Sequence, residues 1–408
     1  MIARCRKLAT FSEDAGRLRR TFLSLPMRDV QREIAAWLEP LATILQIDAA
    51  GNLRALYPAV ESAAPRLLIG SHLDTVPNAG AFDGILGVVL AIALLQGLNG
   101  RRLPYAIEVV GFSDEEGVRF ATPFLGSRAL VSRFDDNLLD RQDSQGISVR
   151  KAIQDFGLNP DTIADAVLRD DVCAYVEFHI EQGPVLESLA LPLGVIETIA
   201  GQSRLEFIFK GRANHAGTTP MNMRFDALAG AAEWITAVER AARISPGLVA
   251  TVGTVQARPG AVNVIAEEAR LSLDVRHPGD DVRMHAVEDL IRDAQAIARR
   301  RGLTMSWKEH MNQRAVQMDP DLITQIEEAI RKSGCKPHRM ASGAGHDAMI
   351  LAEKVPSGMV FLRTPGGISH DPAESVLIDD VAKALECGFH LLDQFAQSTA
   401  FQKRTCRA

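Results

Sequence analysis

The sequence predicts an α/β fold, in which helices flank a mixed central sheet and a smaller α+β domain is inserted. Short apolar runs alternate with longer helical patterns along most of the chain, as they do in α/β proteins. The apolar runs are continuous, which is typical of strands that are buried on both faces. One internal stretch differs, because its strands alternate apolar and polar residues. We therefore expect two domains.

Four apolar runs are the predicted strands of the central sheet, at residues 66–71, 106–113, 172–178 and 358–363. Helical patterns cover residues 84–98, 225–244, 283–301 and 320–333. The alternating strands begin with RLEFIFKG, and such strands have one face covered and one face in water. The expected domains are a main domain of residues 1–202 and 315–408 and an inserted domain of residues 203–314.

Charge and composition argue against several classes of protein. A formal net charge of −6 gives no general attraction to nucleic acid or to anionic lipid. The longest apolar run, residues 85–95, is shorter than the roughly 20 residues of a membrane-spanning helix, and the first 20 residues do not look like a signal peptide. The five cysteines are widely separated and form no C-x-x-C pair. We expect a cytoplasmic protein that binds neither nucleic acid nor membrane.

Histidines and carboxylates follow each predicted strand of the central sheet. They are His72 and Asp83 after the first strand, the carboxylates 114–116 after the second, His179 after the third and His370 after the fourth. Each of these residues alone is more often an ordinary core or surface group. In open α/β sheets, however, the ligand crevice lies at the carboxyl ends of the strands. Three imidazoles and two carboxylates meeting there would form a site for zinc, manganese or cobalt.

Asp74 is the expected partner of His72. The two residues are two positions apart, so on an extended segment they face the same side. A histidine that binds a metal needs a partner for its other ring nitrogen, and a nearby carboxylate commonly serves. For His346 and Asp347 we expect a role in shaping their loop rather than in binding metal.

Six ordered motifs resemble those of the aminoacylase/carboxypeptidase-type dinuclear zinc hydrolases. The motifs are SHLDTVPNAGAFDG, SDEEGVRF, HIEQGPVLE, GRANHAGTTPM, SGAGHDAM and GGISHDPAE, within residues 52–374. The resemblance is closest to the branch of N-carbamoyl-L-amino-acid hydrolases and allantoate amidohydrolases. It implies a zinc-exopeptidase-like catalytic domain, an inserted dimerisation (lid) domain and a homodimer. It also implies two divalent ions per subunit, which would be zinc or alternatively manganese, cobalt or nickel.

The resemblance assigns a role to each matching residue. Asp83 matches the carboxylate that bridges the two metals, His72 and His179 match the ligands of one ion, Glu116 and His370 match those of the other, and Glu115 matches the general base. Peptidase members of the wider family have a carboxylate at the position of His179. This histidine therefore favours the branch that hydrolyses ureido groups.

The resemblance also implies a small substrate that bears a carboxylate. Gln182, Asn263, Arg276 and Gly345 match the residues that hold it, and the planar fork of an arginine suits a carboxylate. His215 matches a hydrogen-bond donor to the developing oxyanion, and it is expected to act across a dimer. The N-terminal text AGRLRRTF departs from the G-x-T-R pattern of the branch, so no substrate contact is assigned to it.

The expected reaction is hydrolysis of the ureido C–N bond of an N-carbamoyl-L-amino acid or of allantoate. A hydroxide shared by two metals would be the nucleophile, with Glu115 as general base. The products would include ammonia, and carbon dioxide from N-carbamoyl substrates. The sequence does not decide between the two substrates. It leaves open an aminoacylase or dipeptidase of the same family and, in another class, an inactive binding protein.

Overall fold

A computed structural model of the chain describes residues 1–41 and 43–398, which form two compact units. The first unit comprises Met1–Glu197 and Met318–Ala408, and the second comprises Thr198–Gln317. These bounds lie a few residues away from the expected domain bounds. In the part of the chain that the structure describes, every helix is too short or too polar to span a membrane.

Strands and helices alternate along most of the chain, across both units. The strands are β1 Ile44–Ile47, β2 Leu53–Tyr57, β3 Arg66–His72, β4 Ala106–Phe112, β5 Val172–Ile180, β6 Leu193–Ile199, β7 Gly201–Lys210, β8 Val249–Thr251, β9 Val255–Arg258, β10 Glu268–His277, β11 Thr304–Gln313, β12 Val316–Gln317, β13 Arg339–Ser342 and β14 Ser357–Leu362. The helices are α1 Ile2–Leu8, α2 Leu25–Leu38, α3 Ile85–Gly97, α4 Leu125–Leu130, α5 Asp136–Leu139, α6 Val149–Asp155, α7 Val185–Ser188, α8 Ala227–Ile244, α9 Asp280–Arg300, α10 Pro320–Lys332, α11 Asp347–Leu351 and α12 Ile378–Gln397.

The central sheet of the first unit has the strand order β1-β2-β4-β3-β5-β14-β6. Its middle strands β4, β3, β5 and β14 are parallel, and β1, β2 and β6 pair in the antiparallel direction, which confirms the predicted mixed sheet. All residues of the four parallel strands are buried, as their continuous apolar sequences predict. Because these strands are parallel neighbours, their carboxyl ends lie along one edge of the sheet.

One strand is longer than expected. The sequence places His179 after a strand that ends at residue 178, whereas β5 continues to Ile180 and includes His179. The reason is the parallel pairing with β14, in which Phe361 lies opposite His179 and Leu362 opposite Ile180. This backbone ladder holds His179 rigidly at the edge of the sheet.

Helix α3 begins two residues after Asp83, and the turn before it brings Asp83 against the end of β3. The helix is apolar on all sides, and nearly all of its residues are buried, as expected for a core helix. Gly84 precedes it with φ +69°, a conformation that favours glycine. A Cβ at this position would lie 2.5 Å from ring atoms of His72. The turn therefore requires glycine in order to bring Asp83 close to His72.

The second unit is an antiparallel sheet with two helices packed on one face. Its strand order is β11-β7-β10-β8, and β9 also pairs with β10. Residues alternate between buried and partly exposed along β7 and β10, as their sequences predict. The buried set packs with α8 and α9 around Phe207, Phe209 and Trp234. The opposite face carries charged side chains, including Arg276 near the end of β10.

Candidate active site

The five expected metal ligands converge at one edge of the first unit's sheet. They are His72 at the end of β3, Glu116 after β4, His179 near the end of β5, Asp83 before α3 and His370 in the loop after β14. Two groups of three contain ligand atoms that all lie within 4.8 Å of one another. These groups are His72, Asp83 and His179, and Asp83, Glu116 and His370. Asp83 is the member that they share.

The carboxylate of Asp83 lies at the centre of this cluster. Its Oδ1 atom is 3.2 Å from Nε2 of His179 and 3.6 Å from Nε2 of His72, and its Oδ2 atom is 3.3 Å from Nε2 of His370. Oδ1 is buried, yet it accepts no hydrogen bond from the described residues. The two oxygens of Asp83 therefore face different candidate ligands, Oδ1 facing His72 and His179 and Oδ2 facing His370.

The hydrogen bonds of the two buried histidines define which ring nitrogen faces the cluster. Nδ1 of His72 lies 3.0 Å from the carbonyl oxygen of Asp74, and Nδ1 of His179 lies 2.9 Å from that of Ile180. A carbonyl only accepts, so Nδ1 carries the proton in each ring, and a neutral imidazole then presents the lone pair of Nε2. The two Nε2 atoms are 3.4 Å apart. When both rings are neutral, their lone pairs and Oδ1 of Asp83 converge without a proton between them, an arrangement that suits a cation.

The second group is more open to solvent. Nε2 of His370 lies 3.7 Å from Oε1 of Glu116, and the side chain of His370 is 50% exposed, whereas that of His179 is 1% exposed. Gln182 donates from Nε2 to Oδ2 of Asp83 at 2.8 Å. His370 and Gln182 both have positive φ, 57° and 59°, which is uncommon for these residue types and is frequent at functional sites.

The cluster contains more negative charge than its histidines neutralise. Burial, and then the charge of Asp83, raise the pKa of Glu116 to about 7. Burial and the adjacent Glu116 carboxylate also hold the pKa of Glu115 well above its usual range. Burial opposes ionisation of Asp83, but its contacts with the three histidines keep its pKa well below normal. Carboxylates that hold protons near neutral pH indicate a site that a cation would stabilise.

Asp74 lies beside His72, but its backbone carbonyl, at 3.0 Å, is nearer to Nδ1 of His72 than the carboxylate that the sequence predicts as the partner. Its Oδ1 atom is 3.5 Å from Nδ1 of His72 and accepts the backbone N–H of Glu115 at 2.9 Å. Its Oδ2 atom accepts the backbone N–H of Glu116 at 3.1 Å. One buried carboxylate therefore orients the segment that carries both Glu115 and Glu116, in addition to its position beside His72.

Glu374 is a residue that the sequence reasoning did not single out. Its Oε1 atom accepts the backbone N–H groups of Phe82 and Asp83 at 2.8 and 3.1 Å, and Ser369 lies 3.3 Å from Oε2. Burial, and then the charge of Asp83, raise the pKa of Glu374 to about 7. In the sequence, the feature that could have indicated Glu374 is its position four residues after His370, within the motif GGISHDPAE.

Arg20 is a second residue that the sequence did not indicate, and it lies in the N-terminal segment AGRLRRTF, to which no substrate contact was assigned. The side chain is fully buried and donates to the carbonyl oxygens of Leu73 at 2.7 Å and of Leu8 and Phe11 at 3.0 Å. The backbones of Arg20 and Thr75 also pair. The arginine thus fastens the N-terminal segment to the loop that follows His72, and it is not a surface group.

His346 and Glu177 form another buried group with His179, but their polar atoms already form hydrogen bonds with other protein groups. Glu177 accepts from Ser71, Tyr175 and the backbone N–H of Ala348 at 2.9 to 3.1 Å. Nε2 of His346 lies 2.9 Å from the hydroxyl of Ser342. A carboxylate with three donors has little capacity left for a metal. Gly345 directly precedes His346, whose ring centroid is 4.5 Å from that of His179.

In the second unit, the structure brings His215 and Asn263 together. His215 forms a backbone bridge with Val264, and the carbonyl of Asn263 accepts the N–H of Ala216 at 2.9 Å. Nδ1 of His215 accepts the backbone N–H groups of Gly217 and Thr218 at 3.1 and 3.2 Å. The proton of a neutral His215 ring is therefore on Nε2, which is exposed and available as a donor.

Arg276 lies at the opposite end of the same sheet. The chain passes from the loop of Asn263 into β10 at Glu268, and Arg276 is eight residues further along this strand. At about 3.4 Å per residue, the two ends are about 27 Å apart. Arg276 donates to both carboxylate oxygens of Asp274, at 2.8 and 3.0 Å, which orients its guanidinium group.

The chain is similar over most of its length to several known proteins. The chain is 37% identical over 389 residues to the N-carbamoyl-L-amino acid amidohydrolase of Geobacillus stearothermophilus, covering 94% of this chain and 95% of that one. It is 38% identical over 420 residues to the allantoate deiminase of Arabidopsis thaliana, covering 94% and 79%. The crystal structure of an amidase of the hydantoinase/carbamoylase family from Burkholderia multivorans superposes with a TM-score of 0.91 at 30% identity, covering 97% of each chain.

The family model described as peptidase family M20/M25/M40 matches residues 68–394. This range includes all of the candidate metal ligands and both units of the structure. The chain therefore belongs to the peptidase family M20/M25/M40.

Proposed function

We propose that the protein is a metal-dependent amidohydrolase that cleaves the ureido C–N bond of an N-carbamoyl-L-amino acid or of allantoate. The observation that carries the proposal is the buried Oδ1 atom of Asp83, which accepts no hydrogen bond from the described residues and faces the Nε2 atoms of His72 and His179. The relatives described above, at 37% and 38% identity, are named for these two reactions.

The donor set fits two divalent ions. His72, His179 and one oxygen of Asp83 would hold the first ion, and Glu116, His370 and the other oxygen of Asp83 would hold the second. Three imidazoles with two carboxylates, and no thiolate, suit zinc, and also manganese, cobalt or nickel. When bound, the ions would polarise the ureido carbonyl and make water more acidic.

Glu115 is the proposed general base. Its carboxylate lies within 4.8 Å of ligand atoms of His72 and Glu116, and its backbone is held by Asp74. It would accept a proton from the attacking water as the water oxygen bonds to the carbonyl carbon. It would then return a proton to the leaving nitrogen as the C–N bond breaks. Breakage of this bond gives ammonia and a carbamate, and the carbamate then decomposes to carbon dioxide and the remaining amine, with either substrate.

The substrate carboxylate and the developing oxyanion need separate partners. Arg276 offers a planar fork for the carboxylate, and Asp274 already orients that fork. Nε2–H of His215 offers a donor to the oxyanion, beside Asn263. Gln182 and Gly345 are the proposed contacts from the first unit, and the amide of Gln182 already reaches Asp83.

These assignments support a homodimer that forms through the second unit. His215 lies beside the loop at one end of β10 and Arg276 lies near the other end, and the strand between Glu268 and Arg276 spans about 27 Å, which exceeds the length of a small carboxylate substrate. One copy of the unit therefore cannot place both side chains on one substrate molecule. Two copies can do so, if one subunit supplies Arg276 and the other supplies His215. A closed twofold dimer would then contain two equivalent sites.

An aminoacylase or dipeptidase of the same family is the second candidate, and an inactive binding protein is the third. The test is ammonia release from N-carbamoyl-L-amino acids and from allantoate by protein supplied with zinc or manganese. Turnover of only acyl amino acids or dipeptides would support the second candidate. No turnover of any substrate by metal-loaded protein would support the third.

A further inference from the structure

Glu374 connects the two loops that carry candidate ligands on opposite sides of the site. It lies four residues after His370, and only 5% of it is exposed. Its Oε1 atom accepts the backbone N–H groups of Phe82 and Asp83, which lie 292 and 291 residues away in sequence. The carboxylate thus joins the loop of His370 to the turn that precedes α3.

Ser369 adds a second connection between the same loops. Its hydroxyl lies 3.3 Å from Oε2 of Glu374 and 3.2 Å from Oδ2 of Asp83. A hydroxyl has a single proton to donate, so it bonds to one of these carboxylates at a time. When Oδ2 of Asp83 is engaged elsewhere, the hydroxyl is available to Glu374.

The chain also leaves space for the Glu374 side chain. A Cβ at Gly80 would overlap the Cβ and carboxylate atoms of Glu374. Glycine at this position therefore allows the carboxylate to approach the backbone of residues 82 and 83. This is a third, independent observation that the loop before α3 is built around Glu374.

We infer that Glu374 is a positioning residue, which holds Asp83 and the loop of His370 in the arrangement that binds two metal ions. The inference rests on the proposed function. Without this carboxylate, two buried backbone N–H groups lose their acceptor, and the turn must shift to find another. Asp83 is the shared ligand, so a shift of this turn alters both metal positions. The metal position that Glu116 and His370 would form is the more exposed of the two, and it is expected to lose its ion first.

The experiment measures metal affinity rather than activity alone. Wild type, Glu374→Ala, Glu374→Gln, Ser369→Ala and Gly80→Ala are freed of metal and titrated with zinc against a chromogenic chelator. Wild type is expected to bind two ions per chain. In Glu374→Ala, the affinity for the weaker ion is expected to fall about 10- to 100-fold, a typical effect of removing a group that supports metal ligands. Glu374→Gln retains one acceptor oxygen and should recover part of this loss.

Steady-state kinetics add a second readout. The hydrogen-bond partners of Glu374 are Phe82, Asp83 and Ser369, and none of them is a proposed substrate-binding residue. The kcat of Glu374→Ala should therefore fall at limiting zinc and recover as zinc is raised. The KM for the substrate should stay within about twofold of wild type. Glu374→Gln, Ser369→Ala and Gly80→Ala keep the test decisive if Glu374→Ala does not fold.

Asp48 provides the matched control. It is also a buried carboxylate that accepts two backbone N–H groups, those of Ala50 and Asn52, but it does so in a turn that holds no candidate ligand. Asp48→Ala should lower the melting temperature and leave zinc affinity unchanged. The inference is overturned if the Glu374 variants bind zinc as wild type does, or if Asp48→Ala loses zinc equally. If wild type itself binds no metal and has no turnover, the proposed function fails with it.

Discussion

The carboxylate of Asp74 accepts the backbone N–H of Glu115 at 2.9 Å. The same carboxylate accepts the N–H of Glu116, while the backbone carbonyl of Asp74 faces Nδ1 of His72. A single buried residue thus supports one candidate metal ligand, the proposed base and a second candidate ligand. The orientation of Glu115 therefore depends on a hydrogen bond from its backbone, and this can be tested separately from its carboxylate.

Asp74→Asn should lower kcat about 10- to 100-fold, because the amide offers one acceptor where the carboxylate offers two. Nδ1 of His72 retains the backbone carbonyl of residue 74, so zinc content should stay at the wild-type value. Steady-state kinetics with metal analysis of the same sample measure both. An unchanged kcat would contradict the orienting role of Asp74.

Glu115→Gln should lower kcat about 10²- to 10⁴-fold, which is the usual contribution of a positioned base. The substitution preserves size and the backbone bond to Asp74, and Glu115 is not among the proposed metal ligands. Ammonia release and metal content are the measurements. Loss of activity together with retained metal is the expected pair of results, and substantial remaining activity would rule out the base assignment.

Removal of metal with a chelator should abolish activity and lower the melting temperature, because the carboxylates around Asp83 then repel one another. An ion that binds only the folded state at 100 times its dissociation constant stabilises that state by about 2.7 kcal/mol. Thermal unfolding before and after addition of zinc or manganese measures this effect. A melting temperature that does not respond to metal would argue against a metal site at this cluster.

The placement of His215 and Arg276 at opposite ends of a strand that is about 27 Å long predicts complementation between inactive variants. His215→Ala and Arg276→Ala should each be nearly inactive as homodimers. After subunit exchange, half of the dimers are mixed, and one of the two sites in each mixed dimer is intact. The mixture should therefore recover about a quarter of wild-type activity. Recovery that is no greater than the sum of the separate variants would show that both residues act within one chain or not at all.

The raised pKa of Asp48 predicts that the free energy of unfolding depends on pH. Burial raises its pKa to about 6, against the hydrogen bonds of Asn52 and the charge of Arg54. A carboxyl with a raised pKa in the folded state favours folding below its unfolded pKa, and this contribution is lost as pH rises to about 6. Asp48→Asn does not ionise, so its free energy of unfolding relative to wild type should increase by about 2 kcal/mol between pH 4 and pH 7. Urea unfolding at both pH values measures the difference, and an equal difference at the two values would contradict the prediction.

The convergence of the candidate ligands could be predicted because residue type and position relative to the strands both indicate it. His72 and Glu116 follow parallel neighbouring strands, so convergence at one edge of the sheet follows from topology. The fold class could be predicted for a related reason, since continuous and alternating apolar patterns differ between the two units. The end of β5 was wrong by two residues, because pairing with β14 extends the strand past His179.

Glu374 and Arg20 could not be predicted in the same way. Their partners are backbone groups, namely the N–H groups of Phe82 and Asp83 and the carbonyl of Leu73. Every residue other than proline has both of these backbone groups, so no pattern of side chains marks them. Contacts of this kind become visible only when the fold brings distant segments together.

Arg20 has a practical consequence for the handling of this protein. The three carbonyl oxygens that it reaches belong to the first helix, to the segment after it and to the residue next to His72. Proteolysis between Phe11 and Arg20 would leave Arg20 and Leu73 in one fragment, but it would cut the covalent link to Leu8 and Phe11, whose carbonyl oxygens the buried guanidinium also needs. A preparation clipped there should retain most of its mass and lose its activity, so an intact-mass measurement belongs beside every activity measurement.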